Sequence, residues 1–407
     1  MTIRHGALAD YFSGIGFKRL KPVEIDPQVS NEHEFNGISK FKELFGLLKQ
    51  GFAVRIIYLC DSEEEILEDT TEFTWYDARE NHPTRTEHRL YYKNSLCIEK
   101  AAPEDLMVLC VNKAKTDSDP KSLTVFIAKY GDTVERQLAW LFGIQLENVT
   151  DNAAVQPKCE RSVDFFTGLI LERVGISITE SNESLLEKIF KQFSDGFPST
   201  YEFSKFARGL LPDVSAFDNV DAAVVTWIDA EESAFRALEN HIVKKQIDAG
   251  FATVDDFINF SLSVHNRRKS RAGYALENHL RFTFETLGIN HAYNQITENK
   301  TRPDFVFPGM TQYRDANFPA ASLTMLGVKT TCKDRWRQVI SEAHRVEKKH
   351  LLTLEPSISV SQTDEMKSSK LQLVVPKGIF SSYTTTQQSW LMGIDDFINY
   401  VKERDQT

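Results

Sequence analysis

The stretch "VKTTCKDRWRQ", residues 328–338, ends an apolar β-type run (Leu323, Met325, Leu326, Val328) on Lys329 and follows it closely with Lys333, Asp334, Arg335, Trp336 and Arg337. Upstream, Asp304 stands in a second strand-like segment, "RPDFVFP", and the connection between the two holds Tyr313 and "DANFP". Antiparallel pairing of these segments would bring one carboxylate and one ammonium to a sheet edge. Phosphodiester hydrolysis uses such a pair: a carboxylate and a scissile-phosphate oxygen hold Mg2+, while a lysine orients or activates water and offsets developing negative charge. Glu342 is a second candidate metal ligand. It lies beside the apolar stripe Trp336, Val339, Ile340, Ala343 and Val346 on a helix expected from about Arg335 to His350. Glu277, on the preceding helix, offers another carboxylate. The same residues also read as a strand-end aspartate capping a turn and a snorkelling lysine.

The elements that must position these groups divide the chain. Residues 1–148 are strand-rich: "FAVRIIYLC", "EFTWYDAR", "HRLYYKN", "LMVLCVN" and "SLTVFIAKY" are short β-branched or aromatic runs, which predicts an all-β or mixed barrel. The linker-like "ENVTDNAAVQPKCERS" (147–162) marks the first boundary, and residues 149–196 form a linker and helical connection through "DFFTGLILERVG" and "SLLEKIFKQF". From 197 to 407, helices including "DAEESAFRALENHIVKKQI", "TVDDFINFSLSV" and "AGYALENHLRFTFETLG" precede the strands "PDFVFP", "SLTMLGVKTT" and "LQLVVP", an α/β domain with a mixed sheet flanked by helices.

Composition sets the outer limits. The chain has 407 residues, 41% of them hydrophobic, enough for two or three domains. No apolar run reaches the roughly 18 residues of a membrane span or resembles a signal peptide, so a soluble cytoplasmic protein with no membrane partner is expected. Five scattered cysteines without CxxC or Cys/His spacing argue against a disulfide framework and a zinc site. A net charge of −10 excludes a protein that coats nucleic acid by bulk electrostatics, but local basic clusters remain in "NRRKSRAG" (Arg267, Arg268, Lys269, Arg271) and "KDRWR".

The blocks "SVHNRRKSRAGYALENHL", "QITENKTRPDFVFP", "YRDANFP", "MLGVKTTCKDRWRQVISEA", "HLLTLEPSISVSQ" and "LQLVVP" resemble, in the same order, the catalytic half of the EcoRII-type (type IIE) restriction endonucleases of the PD-(D/E)xK nuclease superfamily. The resemblance runs from about Phe197 to about Pro376. It implies that Asp304 and Glu342 bind Mg2+, that Lys329 is the catalytic lysine, that Tyr313 supports the site near the phosphate and that Glu277 lies behind the ligands. It places the second carboxylate on the helix after the strand, matching a chain in which Thr330 and Thr331 follow Lys329. It also implies that the segment after Lys329 reads C·G pairs in the major groove. Arg335 would fork onto guanine, Asp334 would accept from cytosine and Lys333 would support both. Arg337 reads as a phosphate contact or an ion-pair partner, and Trp336 as core. The basic run 267–271 is either a solvated face or a phosphate or dimer contact.

In the N-terminal part, "SNEHEFNGI" and "TWYDARENHPTRTEHRLYY" resemble the two DNA-clamping arms of the B3-like pseudobarrel that serves as effector domain in the same family. The first arm would contribute His33 and Glu34, the second Arg79, Arg85, Glu87, His88 and Arg89. The function so implied is a Mg2+-dependent homodimeric endonuclease that needs no small-molecule cofactor. It would cut duplex DNA at a short palindrome containing CC/GG under the control of its N-terminal domain. A nuclease directed at modified DNA and a non-cleaving regulator on a nuclease fold are the competing readings.

Overall fold

The computed structural model describes residues 7–8, 11–62, 66–114, 121–156, 164–176, 183–193, 196–332 and 335–405. The chain forms two compact units, one of Arg4–Ile178 with Ser357–Ser359 and one containing Thr179–Pro356 and Val360–Thr407.

The first unit is built on eight strands: β1 (Phe12–Arg19), β2 (Glu34–Phe35), β3 (Gln50–Leu59), β4 (Leu67–Asp77), β5 (His88–Tyr92), β6 (Leu106–Asn112), β7 (Ser122–Ala128) and β8 (Ala154–Gln156). They form one sheet in the order β2-β5-β4-β3-β7-β6-β1-β8, with β3 and β7 parallel. Strict alternation lets β3 bury one face along its length and the other face at its C-terminal end. Phe52, Val54, Ile56 and Tyr58 of β3 enter one core together with Phe73, Trp75, Leu90, Met107 and Val125. Ile57 and Leu59 enter the other, which is closed by Leu138 and Phe142 of one helix and Ile170 and Leu171 of another. This second core corrects the expected linker. Ala154–Gln156 pair with β1, and the helix Phe165–Arg173 is buried by its apolar face. Polar composition suggested a connection, but the three backbone pairs to β1 decide where this segment lies.

The second unit carries the strands β9 (Ala292–Tyr293), β10 (Phe305–Phe307), β11 (Thr324–Lys329), β12 (Lys349–Thr353) and β13 (Leu371–Val374), in the order β13-β12-β11-β10-β9. Pairing is antiparallel from β9 to β11 and parallel from β11 to β13, the mixed sheet expected. Two long helices, Val220–Ala249 and Val254–Thr286, meet at Gly250, whose φ of 77° suits a residue without a side chain. The second starts on a capping box between Thr253 and Asp256. Its far end packs edge-on against the sheet, with Phe284 ring centroids 5.1 Å from Phe305 and 5.2 Å from Phe307. The helix Ile394–Asp405 covers the same face through Phe397, 5.7 Å from Phe307.

On the opposite face a short helix, Trp336–Ile340, lies against β11. Gly327 makes the approach possible: a Cβ there would stand 2.8 Å from a Val339 methyl. The helix expected from Arg335 to His350 is thus only five residues long. Sixteen helical residues would extend about 24 Å, whereas this connection must return the chain to begin β12 beside β11 at Lys349. Ala343 makes the turn with a φ of 47°, and it remains buried with Val346. The apolar stripe is therefore real, but turns carry its second half.

Candidate active site

The register of β10 and β11 sets the site. Phe305 opposes Leu326 and Val306 opposes Met325. One step further, Asp304 comes opposite Gly327, on the face that also carries Lys329. Period-two alternation thus puts both charged groups on the side away from the Phe284 packing. Lys329 Nζ donates to Asp304 Oδ2 at 3.0 Å, and the Val328 N–H donates to the same oxygen at 2.6 Å. Both side chains are largely buried, at 17% and 15% exposure.

Glu342 follows the short helix, with its N–H bonded to Val339 O. It therefore sits on a turn, where a helix was expected. Its Oε2 is buried with no hydrogen-bond partner among the described residues. Burial, and then the neighbouring Asp304 charge, push its carboxyl up to about 7, against the opposing pull of Lys329 and Lys349. Glu277 is likewise raised, first by burial and then by Asp304, and its Oε2 accepts from Tyr293 OH at 2.7 Å. Tyr313 is buried and donates to Glu298 Oε2 at 2.6 Å. Arg345, three residues beyond Glu342, donates to the carbonyls of Gln312, Tyr313, Asp315 and Phe318, tying the 312–318 connection to the Glu342 turn. Nothing in the sequence patterns singled out Arg345, Tyr293 or Glu298, because none has a partner at a fixed sequence spacing.

Three carboxylates therefore lie near Lys329, and the Asp304 charge opposes ionisation of both Glu277 and Glu342. No group of three or more His, Cys, Asp and Glu side chains among the described residues is arranged as a metal-binding cluster. Two carboxylates suffice for Mg2+, which takes oxygen ligands and keeps several waters and substrate phosphates. Asp304 and Glu342 fit that role: both offer hard oxygens, and Glu342 carries a buried oxygen that no described residue satisfies.

The expected recognition residues fall into distinct groups. Lys333 and Asp334 lie outside the described residues, as does the side chain of Lys269. Arg335 is exposed at the start of the short helix. Arg337 pairs with both carboxylate oxygens of Glu365 at 3.0 Å, the ion-pair alternative of the two expected for it. In the basic run, Arg267 lies over the Phe197 ring and Arg268 bonds Glu239 at 2.7 Å. Arg271 corrects the expectation of a phosphate or dimer contact: at 6% exposure it is buried, bonded to Glu232 and stacked on Phe235. Neutralising buried acids on the neighbouring helix, Glu231 included, accounts for its charge.

In the first unit, Glu34, Glu87, Arg79 and Arg89 form one ion-pair network, and Glu34 also accepts from Tyr76. His33 packs edge-on against Tyr92. His88 is a second correction: it is buried against Trp75 with Nε2 on Leu47 O, a core residue on the inward side of β5. Arg85 is exposed in the connection between β4 and β5.

The family model described as "EcoRII C terminal" matches residues 235–398, a range that holds Asp304, Lys329, Glu342, Tyr313 and Glu277. This part of the chain is similar to the EcoRII C-terminal family. The type II restriction enzyme EcoRII of Escherichia coli is 44% identical over 203 residues, covering 50% of this chain and 50% of that enzyme. The chain thus spans about half the length of the curated relative it matches. Among solved structures, metal-depleted Ecl18kI in complex with uncleaved, modified DNA is similar at a TM-score of 0.44 and 19% identity, over 55% of this chain and 84% of that one. The restriction endonuclease PspGI in complex with substrate DNA is similar at 0.43 and 14% identity, over 51% of this chain and 93% of that one. No helix among the described residues is long and apolar enough to cross a membrane.

Proposed function

We propose that the chain is a type II restriction endonuclease, hydrolysing phosphodiester bonds of duplex DNA at a short palindrome containing CC/GG. The observation that carries the reading is the Lys329–Asp304 contact at 3.0 Å together with the buried Glu342 Oε2 that no described residue satisfies, inside the segment that matches the EcoRII C-terminal family. A binding module has no use for a buried carboxylate held without a partner, which costs stability.

In this reading Asp304 and Glu342 hold Mg2+, which when bound would act as a Lewis acid on the scissile phosphate. Asp304 is aimed by the Val328 N–H, so the ligand and the strand that carries Lys329 move as one. Lys329 holds its ammonium where charge accumulates on the phosphate oxygens and orients the attacking water. Glu277, fixed by Tyr293, keeps a further negative group beside the lysine. Arg335 reads guanine, with Lys333 and Asp334 on the same base pairs. One such centre cuts one strand, so a homodimer matches a palindrome. The N-terminal unit acts as a B3-like effector domain through Arg79, Arg85, Glu87, Arg89, His33 and Glu34, and it restrains cleavage until occupied by DNA.

The test is digestion of unmethylated and methylated plasmid with Mg2+, followed by sequencing of the ends. Discrete fragments from the wild type and none from Lys329→Ala support the reading. Intact DNA in both, with binding in a gel shift, would replace it with a non-cleaving regulator. Fragments from methylated plasmid alone would redirect it to modified DNA.

A further inference from the structure

Thr330 and Cys332, which follow Lys329, are held from beneath by the end of β12. The parallel ladder of β11 and β12 closes at the pair Lys329 and Thr353. Beyond it, side chains continue the hold. Thr353 Oγ1 donates to Thr330 O at 3.2 Å, and the Cys332 N–H donates to Glu355 Oε2. Cys332 O in turn accepts from the Arg335 N–H at 2.8 Å, so the residue that Glu355 grips is bonded to the N-cap of the short helix.

Glu355 is itself fixed. It is 3% exposed, its N–H donates to Thr353 Oγ1 at 3.2 Å, and its carbonyl accepts from Tyr383 OH. Thr353 and Cys332 are fully buried. A carboxylate on a backbone N–H inside such a site is a strong, directional bond, and its loss leaves a buried donor unsatisfied. Neither Glu355 nor Thr353 belongs to the set that touches metal or phosphate in the reading above.

On the strength of this geometry, and resting on the nuclease reading for its consequence, we infer that Glu355 is a positioning residue: by holding the Cys332 amide it sets the register between the catalytic Lys329 and the base-reading Arg335. Discrimination between sites then depends on a residue that contacts no base. A loop released from Glu355 lets Arg335 drift relative to Lys329, so correct and near-correct sites are cut at more similar rates.

Two variants and two readouts test this. Glu355→Gln keeps an oxygen acceptor of the same length, and Glu355→Ala removes it. The first readout is hydrogen exchange at the Cys332 amide, which needs no activity. The second is the ratio of cleavage rates at the wild-type site and at sites changed by one base pair. In Glu355→Ala, exchange quickens and the ratio falls, each by about tenfold, the factor that one lost charged hydrogen bond provides. In Glu355→Gln both stay within about threefold of wild type. Thr353→Val, which removes the second hold at near-constant volume, lowers the ratio in the same direction and decides the matter if Glu355→Ala does not fold. A folded Glu355→Ala with unchanged exchange and ratio overturns the inference, as does a Gln variant as impaired as the Ala variant. A wild type that leaves DNA intact overturns the nuclease reading alone, and the amide measurement still decides whether Glu355 holds the segment.

Discussion

Lys329 and Asp304 share one oxygen: Asp304 Oδ2 takes the lysine ammonium at 3.0 Å and the N–H of the preceding residue, Val328, at 2.6 Å. The carboxylate is thus aimed by the backbone of the very strand whose last residue is the lysine. A lysine displaced along β11 would displace its own counter-ion.

The first prediction follows from that coupling. Lys329→Ala and Asp304→Asn each lower single-turnover cleavage by about 10^2–10^3 or more, the scale of a lost electrostatic stabiliser. DNA affinity in a gel shift without metal stays within about threefold for Lys329→Ala, because binding energy comes from many phosphate contacts. Cleavage by Lys329→Ala at the wild-type rate would remove the lysine from the chemistry.

Glu342 predicts a pH dependence. Its carboxyl is raised from 4.5 to about 7 in the folded protein, so its contribution to stability is fully present below pH 4.5 and is lost as pH rises through 7. Binding of Mg2+ requires the ionised form, and affinity should therefore climb between about pH 6 and 8. Glu342→Gln removes the buried charge, so it should be more stable than wild type at pH 8 by about 1–3 kcal/mol while losing metal affinity and cleavage. Thermal melts and calorimetric titration across pH check both signs. A wild type whose Mg2+ affinity is flat from pH 6 to 8 contradicts the assignment.

Gly327 predicts a packing defect. Gly327→Ala drives a methyl into Val339 at 2.8 Å and destabilises by about 1–3 kcal/mol. Val339→Ala in the same chain should recover part of that loss, read as a non-additive double-mutant cycle in urea unfolding.

Two arginines from the two basic clusters should behave oppositely. Arg271→Ala takes a buried counter-charge from Glu231 and Glu232, leaving them His279 and Arg236, and costs about 3–5 kcal/mol of stability. Arg335→Ala, at an exposed position, leaves the melting curve nearly unchanged, but it costs about 1–3 kcal/mol of discrimination at one base pair. Equal loss of stability in the two would mean that Arg335 is structural.

Much of this architecture was legible in the chain itself. Residues such as those of β3, β6 and β11 declare strands because an apolar run bounded by polar turns has few other ways to be buried, and the pairing of Asp304 with Lys329 follows from two short strands and a short connection. The charged stretches were ambiguous for a physical reason. Arg271 and Arg335 have the same side chain in equally basic surroundings, and only the acids that a neighbouring helix brings up, Glu231 and Glu232, place one in the core. His88 looked like one more polar group on an exposed ribbon until the alternation of β5 against Trp75 turned it inward.

What sequence alone determined is the identity of the groups and the strand ends that carry them, since local periodicity fixes which residues share a face. Tertiary structure decided the rest. It ended the helix at Ile340 because β12 must start beside β11, put Glu342 on a turn next to Asp304, and set Glu355 beneath Cys332. Contacts between residues far apart in the chain depend on how strands and helices close over one another, and no local pattern encodes that closure.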